Sequence, residues 1–351
     1  MITTILFLFV LSVLVFVHEL GHFLASKLFK IRVDEFAIGF PPKIFSWKKG
    51  ETTYALNALP LGGYVKIHGE NPEDATDPTD KRNFQNVSWW KQVVVLAAGV
   101  TFNIIFAWLL LSLSLMVGTT KASLEGIDPA YVSGPQKVLI QAVTPDSPAA
   151  KADIQPGDVV LSVNGKEVTT SVQVQTLVKE SKKKVLVETE RKDATSSHEV
   201  IFANESLMGV TLAEVATIKM PFFPALKHGA AGTWYLTSEL TNGVLGFFGK
   251  LFVGHASWEE VSGPVGIAKH VGSAGREGFA SLIFISVLIS ISLAIMNILP
   301  FPALDGGRIV ISVIEGIMRK RLNPTFVNVL NTIGFGLLLL LMLVVTIKDI
   351  F

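Results

Sequence analysis

The sequence predicts a mainly α-helical polytopic membrane protein with about four transmembrane helices, a membrane-associated β-hairpin and an inserted α+β domain. Of the 351 residues, 50% are hydrophobic and 17% are charged, whereas a soluble domain has about 25% charged residues. Lysine and arginine number 30 against 29 aspartates and glutamates, so no nucleic-acid partner is expected. Cysteine is absent, which excludes disulfides and thiolate zinc sites.

Four apolar runs without Asp, Glu, Lys or Arg approach or exceed the length of about 20 residues that crosses a bilayer. They comprise residues 2–17 (resuming at 23–26), 93–116, 278–304 and 322–347. Basic residues collect between the first two runs and between the last two, so both connections are predicted to be cytoplasmic. Both chain ends and the long segment 121–277 are therefore predicted on the outer side of the membrane.

The first predicted transmembrane helix, residues 1–28, contains the sequence His18-Glu19-Leu20-Gly21-His22. Side chains four residues apart lie on one helical face, so both imidazoles can reach a single ion. In this His-Glu-x-x-His arrangement two histidines bind zinc and the glutamate is the general base. Ionisable residues inside a span indicate a functional site. A buried hydrogen-bonded cluster between helices is the alternative interpretation.

The same helix is predicted to stay in the mature protein. No basic residue precedes its apolar run and no small-residue cleavage site follows, unlike a signal peptide. Position 18 lies about 24 Å along a helix that starts at residue 2. The histidines are therefore expected within the bilayer, nearer the cytoplasmic face.

Residues 29–91 form the first predicted cytoplasmic connection. Apolar side chains alternate weakly from 51 to 67 around a turn at Pro60 and Gly62-Gly63, which predicts a hairpin at the membrane surface. The second transmembrane helix follows within residues 92–120.

Residues 121–215 are predicted to be an outer α+β domain. β-rich runs at 138–143, 159–163, 185–189 and 200–202 are separated by turn signals, and a helix is expected from 171 to 179. The stretch from Asp146 to Lys166 resembles the core of a bacterial PDZ domain. Asp153 replaces the glycine usual there, and aspartate tolerates left-handed geometry. Such domains bind chain ends by strand addition; a spacer that binds nothing is the alternative.

Residues 216–278 are predicted to be an amphipathic segment at the outer interface, because aromatic side chains such as Trp234, Tyr235 and Phe247 recur there. The third transmembrane helix lies within residues 279–321 and ends in Asn297-Ile-Leu-Pro-Phe-Pro-Ala-Leu-Asp305-Gly-Gly-Arg308. Prolines break the helix there, so a carboxylate at Asp305 could complete a His-His-Asp site. Residues 322–351 form the fourth transmembrane helix.

Together these motifs resemble the site-2 proteases, the intramembrane zinc metalloproteases, in their bacterial form with one PDZ domain. The resemblance covers nearly the whole chain. His18 to His22 matches the first motif of the family, and Asn297-x-x-Pro300 with Leu304-Asp305-Gly306 matches the second. Further matching segments are 39–42, 59–66, 262–268 and 99–103. In the last of these the usual proline is Val100, so the kink expected from that proline is not implied.

The resemblance implies a Zn²⁺ cofactor bound by His18, His22 and Asp305, with Glu19 as catalytic base. Substrate contacts are expected at Asn297, Pro300, Asn103, Gly62, Gly63 and Pro264. Each of these features also has a structural interpretation. Asn297 could cap a helix, the outer aromatic residues could anchor the chain at the interface, and the two glycines could belong to a hairpin that does not contact substrate. The expected reaction is hydrolysis of peptide bonds within transmembrane segments.

The expected substrates are single-span membrane proteins such as anti-sigma factors, and signal-peptide remnants. The other expected partners are membrane lipid and a chain end bound at the PDZ domain. The expected location is the bacterial inner membrane, with the PDZ domain extracytoplasmic. Two other functions are the alternatives. A non-catalytic PDZ scaffold would not need the zinc motif, and a membrane-anchored protease for soluble chains would carry the motif outside its spans.

Overall fold

A computed structural model describes residues 2–70, 77, 79–122, 127–181, 183–191, 194–202, 207–255 and 261–351. The chain divides into two compact units. The first unit comprises Met1–Ser114 and Leu226–Phe351, and the second comprises Leu115–Ala225.

Within the described residues, four helices are long and apolar enough to cross a membrane, which confirms the four spans predicted from the sequence. They are α1 (Ile2–Leu28), α2 (Trp89–Val117), α7 (Phe279–Ile298) and α9 (Pro324–Ile350). Their ends follow local chemistry. The Asn323 side chain accepts a hydrogen bond from the Thr325 amide and Pro324 occupies the first helical position, so α9 begins there. Helix α7 ends just before Pro300, which cannot continue it without breaking a hydrogen bond.

Three further helices belong wholly or mostly to the first unit: α5 (Phe222–Phe252), α6 (Pro264–Glu277) and α8 (Asp305–Met318). Helix α5 contributes Leu236, Leu240 and Val244 to an apolar cluster built from α2 and α7. Its Leu226 carbonyl also accepts a hydrogen bond of 2.9 Å from Trp108 Nε1 on α2. Helix α5 therefore packs along two membrane-spanning helices. Helix α6 packs on α1, α7 and α9.

The strands β1 (Val33–Lys49) and β2 (Thr52–Ile67) form an antiparallel hairpin that folds back on itself. Residues 33–38 pair on one side with 53–56 and on the other side with 63–67, while 43–49 pair with 52–57. Residues 63–67 therefore lie at one edge of the resulting sheet. The hairpin packs on α1: Phe16 contacts Phe36, and Ser12 Oγ donates to the Pro60 carbonyl at 2.7 Å.

The second unit is an α+β fold around one sheet, with strand order β3-β9-β4-β5-β7-β8 and β6 paired with β5. Its strands are β3 (Thr119–Ala122), β4 (Val132–Val143), β5 (Val159–Val163), β6 (Lys166–Glu167), β7 (Lys184–Arg191), β8 (Ala194–Ile201) and β9 (Val210–Ile218). Its helices are α3 (Pro148–Lys151) and α4 (Ser171–Glu180). The predicted strand runs lie on β4, β5, β7 and β8, with 200–202 ending one residue beyond β8. Asp153 takes the left-handed conformation expected of it, with φ of 60°.

The core of this unit consists of aliphatic side chains that alternate along the strands, as one buried sheet face requires. Val138, Ile140, Val163, Val187 and Val200 are each fully buried there. One charged group also enters this interior: the Asp158 side chain is inaccessible to solvent and accepts hydrogen bonds from Arg191.

Candidate metal centre

His18, His22 and Asp305 meet in the first unit, although Asp305 is 287 residues from His18 in sequence. His18 Nε2 lies 3.0 Å from Asp305 Oδ2, and His22 Nε2 lies 3.3 Å from the same oxygen. The two Nε2 atoms are 3.2 Å apart. Both histidines are 6% exposed. The three side chains therefore present their ligating atoms to one small, largely dry volume.

These separations suit zinc. A tetrahedral zinc with bonds of about 2.0–2.1 Å to nitrogen and oxygen holds neighbouring ligand atoms about 3.3 Å apart. The three distances between ligand atoms fall at or just below that value. Two imidazoles and one carboxylate also form the donor set of catalytic zinc sites that leave the fourth position for water or substrate. The residues present thus fit the metal in number, chemistry and spacing.

The backbone of α2 fixes the orientation of the His22 ring. His22 Nδ1 lies 2.8 Å from the Val95 carbonyl oxygen and donates to it, which leaves the Nε2 lone pair facing His18 and Asp305. A histidine that binds metal through one nitrogen commonly donates its other N–H to such a carbonyl. The sequence motif identified His22 but gave no sign of Val95, because a carbonyl partner has no side-chain signature.

Two glycines allow α1 and α2 to approach closely at this point. A Cβ on Gly21 would collide with the Ala98 carbonyl oxygen. A Cβ on Gly99 would collide with His22 Nε2 and would lie 2.7 Å from Cε1 and 2.8 Å from Nε2 of His18. Glycine is therefore required at both positions by the space available. Helix α2 is continuous through Gly99 and Val100.

Asp305 is the first residue of α8 and directly follows a tightly folded turn after α7. Ala303, two residues before it, has φ of 73°, a conformation uncommon for alanine. Its amide donates to Asn331 Oδ1 of α9 at 3.3 Å. Gly334 of α9 also leaves room for Pro302, because a Cβ there would lie 2.6 Å from the Pro302 carbonyl oxygen. Helix α9 thus holds the turn that presents Asp305.

Glu19 lies between the proposed ligands in sequence and contacts the hairpin edge. Its Oε2 accepts a hydrogen bond of 2.9 Å from the Val65 amide, which belongs to the edge segment 63–67. The hairpin therefore holds the Glu19 carboxylate in a defined position beside the cluster.

The residues expected to contact substrate lie on several elements of the first unit. Asn297 is half-buried near the end of α7, and Pro300 is exposed just beyond it. Gly62 lies against Val15 of α1, and Gly63 has no room for a Cβ beside the Ala37 carbonyl. Pro264 begins α6, whose contacts are with α1, α7 and α9. Asn103 is fully buried, and its amide lies 3.2 Å from His18 Nδ1.

Comparison with known proteins identifies the enzyme class. The family model described as Peptidase family M50 matches residues 6–341, a range that includes all three proposed ligands. The chain belongs to peptidase family M50. This membership confirms the site-2 protease resemblance seen in the sequence.

Curated relatives align over almost the full length of the chain. A Clostridium perfringens protein named as a putative zinc metalloprotease is 34% identical, covering 97% of this chain and 96% of its own. Zinc metalloprotease RasP of Geobacillus kaustophilus is 30% identical, covering 98% and 96%. The Bacillus subtilis regulator of sigma-W protease RasP is 28% identical, covering 99% and 98%. This M50 protein is therefore a membrane zinc metalloprotease, and the predicted Zn²⁺ cofactor is confirmed.

Proposed function

We propose that this metalloprotease hydrolyses peptide bonds within the transmembrane segments of single-span membrane proteins. The observation that carries the proposal is that two of the predicted zinc ligands lie on a helix long and apolar enough to span the membrane. His18 and His22 are buried residues of a 27-residue helix whose apolar composition suits a membrane span. At about 1.5 Å per residue, His18 lies roughly 24 Å from the start of that helix. A centre at this depth suits a substrate that is itself inside the bilayer.

In the proposed reaction, His18, His22 and Asp305 would hold zinc. Bound there, zinc would supply a Lewis acid that polarises the scissile carbonyl and lowers the pKa of a water molecule to about 7. Glu19 accepts the proton of the attacking water and passes it to the leaving amine. The Val65 amide keeps the Glu19 carboxylate oriented for this role.

The substrate must unwind before it is cut, because a helix hides its peptide groups in its own hydrogen bonds. We propose that the exposed strand adds to the hairpin edge at Gly62-Gly63, where backbone groups can replace the lost bonds. Asn297 and Pro300 would contact the substrate from the opposite side, and Pro264 would guide its entry. Ile44, Phe45 and Trp47 of the hairpin are exposed, which supports the proposal that the hairpin lies at the membrane surface.

The substrate class and cell location complete the proposal. Residues 115–225 would serve as the extracytoplasmic PDZ domain. This domain would bind the chain ends of membrane proteins that have already been trimmed outside the cytoplasm. The enzyme would lie in the bacterial inner membrane. The name of the Bacillus subtilis relative as a regulator of sigma-W protease supports anti-sigma factors as substrates, with signal-peptide remnants as a second group.

The test is Glu19→Gln in the purified full-length enzyme, assayed on a single-span reporter in lipid bilayers. We expect zinc content to stay at the wild-type level and the cleavage rate to fall by about 10²- to 10⁴-fold, the usual contribution of a general base. Mass spectrometry should locate the wild-type cut inside the span of the reporter.

Glu277→Gln is the matched control, because Glu277 is exposed at the end of α6. It should cleave at the wild-type rate. Undiminished cleavage by the Glu19 variant would refute the assigned base, and a cut confined to the soluble parts of the reporter would refute the intramembrane reaction.

A further inference from the structure

Asn103 of α2 has a position that substrate contact does not explain. Its side chain is fully buried, with 0% exposure. Its backbone carbonyl oxygen accepts a hydrogen bond of 2.8 Å from Ser290 Oγ of α7, and Ser290 is also 0% exposed. The residue is therefore anchored from behind by a second membrane helix while its amide faces the His18 ring.

The face of α2 that supports the histidines repeats every four residues. Val95 accepts from His22, Gly99 leaves space for both rings, and Asn103 contacts His18. Residues at this spacing lie on one side of a helix. Both rings therefore contact α2 through Nδ1. The partner of His22 is the Val95 backbone carbonyl, whereas the partner of His18 is the Asn103 side chain.

The chemistry of His18 defines what that side chain must provide. His18 turns Nε2 toward Asp305 and His22. A neutral imidazole has one N–H and one lone pair, so an imidazole that gives the Nε2 lone pair to zinc carries its proton on Nδ1. That N–H needs a hydrogen-bond acceptor, since an unmade bond on a buried donor costs about 1–3 kcal/mol.

Asn103 has an acceptor to spare. Its Nδ2 lies 3.2 Å from His18 Nδ1, while its Oδ1 is buried without a hydrogen-bond partner among the described residues. A half-turn of the amide exchanges the two atoms within the same volume. Oδ1 then accepts from His18 Nδ1–H, which satisfies both buried groups at once.

We propose that Asn103 is a positioning residue for zinc, fixing the ring and proton of His18 through Oδ1. The proposal rests on the assigned ligand set but not on the identity of the substrate. A lost partner of this kind lowers metal affinity by about 10- to 100-fold. Because Asn103 is fully buried and its side chain contacts His18, its loss should act on zinc binding and leave KM unchanged once zinc is saturating.

The experiment measures the zinc dissociation constant of the full-length protein by chelator competition, without substrate. Asn103→Leu removes the acceptor at similar volume and should weaken binding by about 10- to 100-fold. Asn103→Asp restores an acceptor oxygen and should bind zinc at least as tightly as the wild type. Thr101→Val is the control, because Thr101 is exposed on the same helix and its hydroxyl donates to the Ala97 carbonyl of its own helix.

Each result decides the proposal. Wild-type affinity in Asn103→Leu would overturn it, and so would equal weakening in the Leu and Asp variants, which would indicate a packing role alone. If the Leu variant does not fold, the Asp variant carries the test, and looser binding than wild type overturns the proposal. Zinc affinity is read without proteolysis, so failure here is separable from failure of the proposed reaction.

Discussion

Gly99 shows how one missing side chain can determine whether a metal site forms. A Cβ at this position would meet the His18 and His22 rings at distances that real Cβ atoms do not show. The rings cannot retreat freely, because Val95 and Asn103 hold them from α2. We therefore predict that Gly99→Ala lowers zinc affinity on the order of 10-fold or more, measured by chelator competition and by metal content after dialysis.

The control for this prediction is Gly246→Ala on α5, where a Cβ would meet nothing within 4 Å. The same change in open space should leave zinc content at the wild-type level and favour the helix slightly. Zinc binding by Gly99→Ala equal to that of the control would mean that the two histidines tolerate displacement, contrary to the geometry.

At the residue scale, the zinc motif could be predicted because the ligands are side chains whose type and spacing are visible in the sequence. His18, Glu19 and His22 follow from spacing on one helix, and Asp305 follows from a carboxylate beside helix-breaking prolines. The residues that orient these groups depend on how α1 packs on α2. Val95 acts through its carbonyl, and the role of Gly99 is space alone, so neither could be deduced before the two helices were placed together.

Strand β5 of the second unit begins next to Asp158, a buried carboxylate whose contribution to the stability of the unit depends on pH. Asp158 accepts hydrogen bonds from Arg191 Nε at 2.5 Å, Arg191 Nη2 at 2.8 Å and the Gln155 amide at 2.9 Å. Burial alone would raise the pKa of the Asp158 carboxyl, but Arg191 and the Gln155 amide hold this pKa below its ordinary value of 3.8. Ionised Asp158 therefore stabilises the folded unit at neutral pH.

Because the folded pKa of Asp158 is lowered, its contribution is complete above about pH 4 and is lost as the pH falls through the folded value. We predict that Asp158→Asn destabilises this unit by about 2 kcal/mol at neutral pH, since it loses charge-assisted bonds to a partly exposed arginine. As the pH falls below 4, the difference in stability between the variant and the wild type should shrink, and it should vanish only below the folded pKa. Hydrogen exchange of the β5 and β7 amides in the full-length protein, from pH 3 to 7, measures both effects.

Asp146→Asn is the comparison, because Asp146 is exposed and its left-handed φ of 60° also suits asparagine. Its exchange profile should follow that of the wild type at every pH. A pH-independent difference between Asp158→Asn and wild type would contradict the assignment of the effect to this carboxylate.

At the scale of elements, composition predicted whichever segments form by local rules. The four spans and the strands β4, β5, β7 and β8 of the α+β unit follow from apolar runs, alternation and turn residues, whereas β3, β6 and β9 were not predicted. The hairpin was expected within residues 51–67, around a turn at Pro60 and Gly62-Gly63, and this expectation is wrong. Strand β2 runs through that whole stretch, and residues 33–38 of β1 pair with 53–56 on one side and, in a second pairing, with 63–67 on the other. That second pairing joins residues up to 34 positions apart through backbone groups, which leave no pattern in the sequence. The left-handed Ala303 was missed likewise, since Asn331 of a distant helix holds it.

At the scale of the whole molecule, the low charged fraction reflects two distinct surfaces. Helix α9 exposes Phe335, Leu337 and Leu340, as lipid-facing helices do. Most charged residues lie outside the four candidate spans. Against those bare spans, the buried histidines are exceptional, and their cost in an apolar surrounding is offset by mutual contacts and by the metal. The orientation in the membrane is predicted from the distribution of charge, because geometry within one chain does not supply it.

The proposed orientation places residues 115–225 outside the cytoplasm and the connection between α8 and α9 inside it. The sequence lacks cysteine, so a single introduced thiol reports its own side of the membrane. Ser196→Cys is exposed on β8, and Lys320→Cys is exposed after α8. In spheroplasts of a bacterial host, a membrane-impermeant maleimide should label Ser196→Cys at once and Lys320→Cys only after permeabilisation, while both should label equally in detergent. The opposite pattern would invert the topology, and it would place the zinc centre nearer the outer face, where an extracytoplasmic chain end could reach it directly.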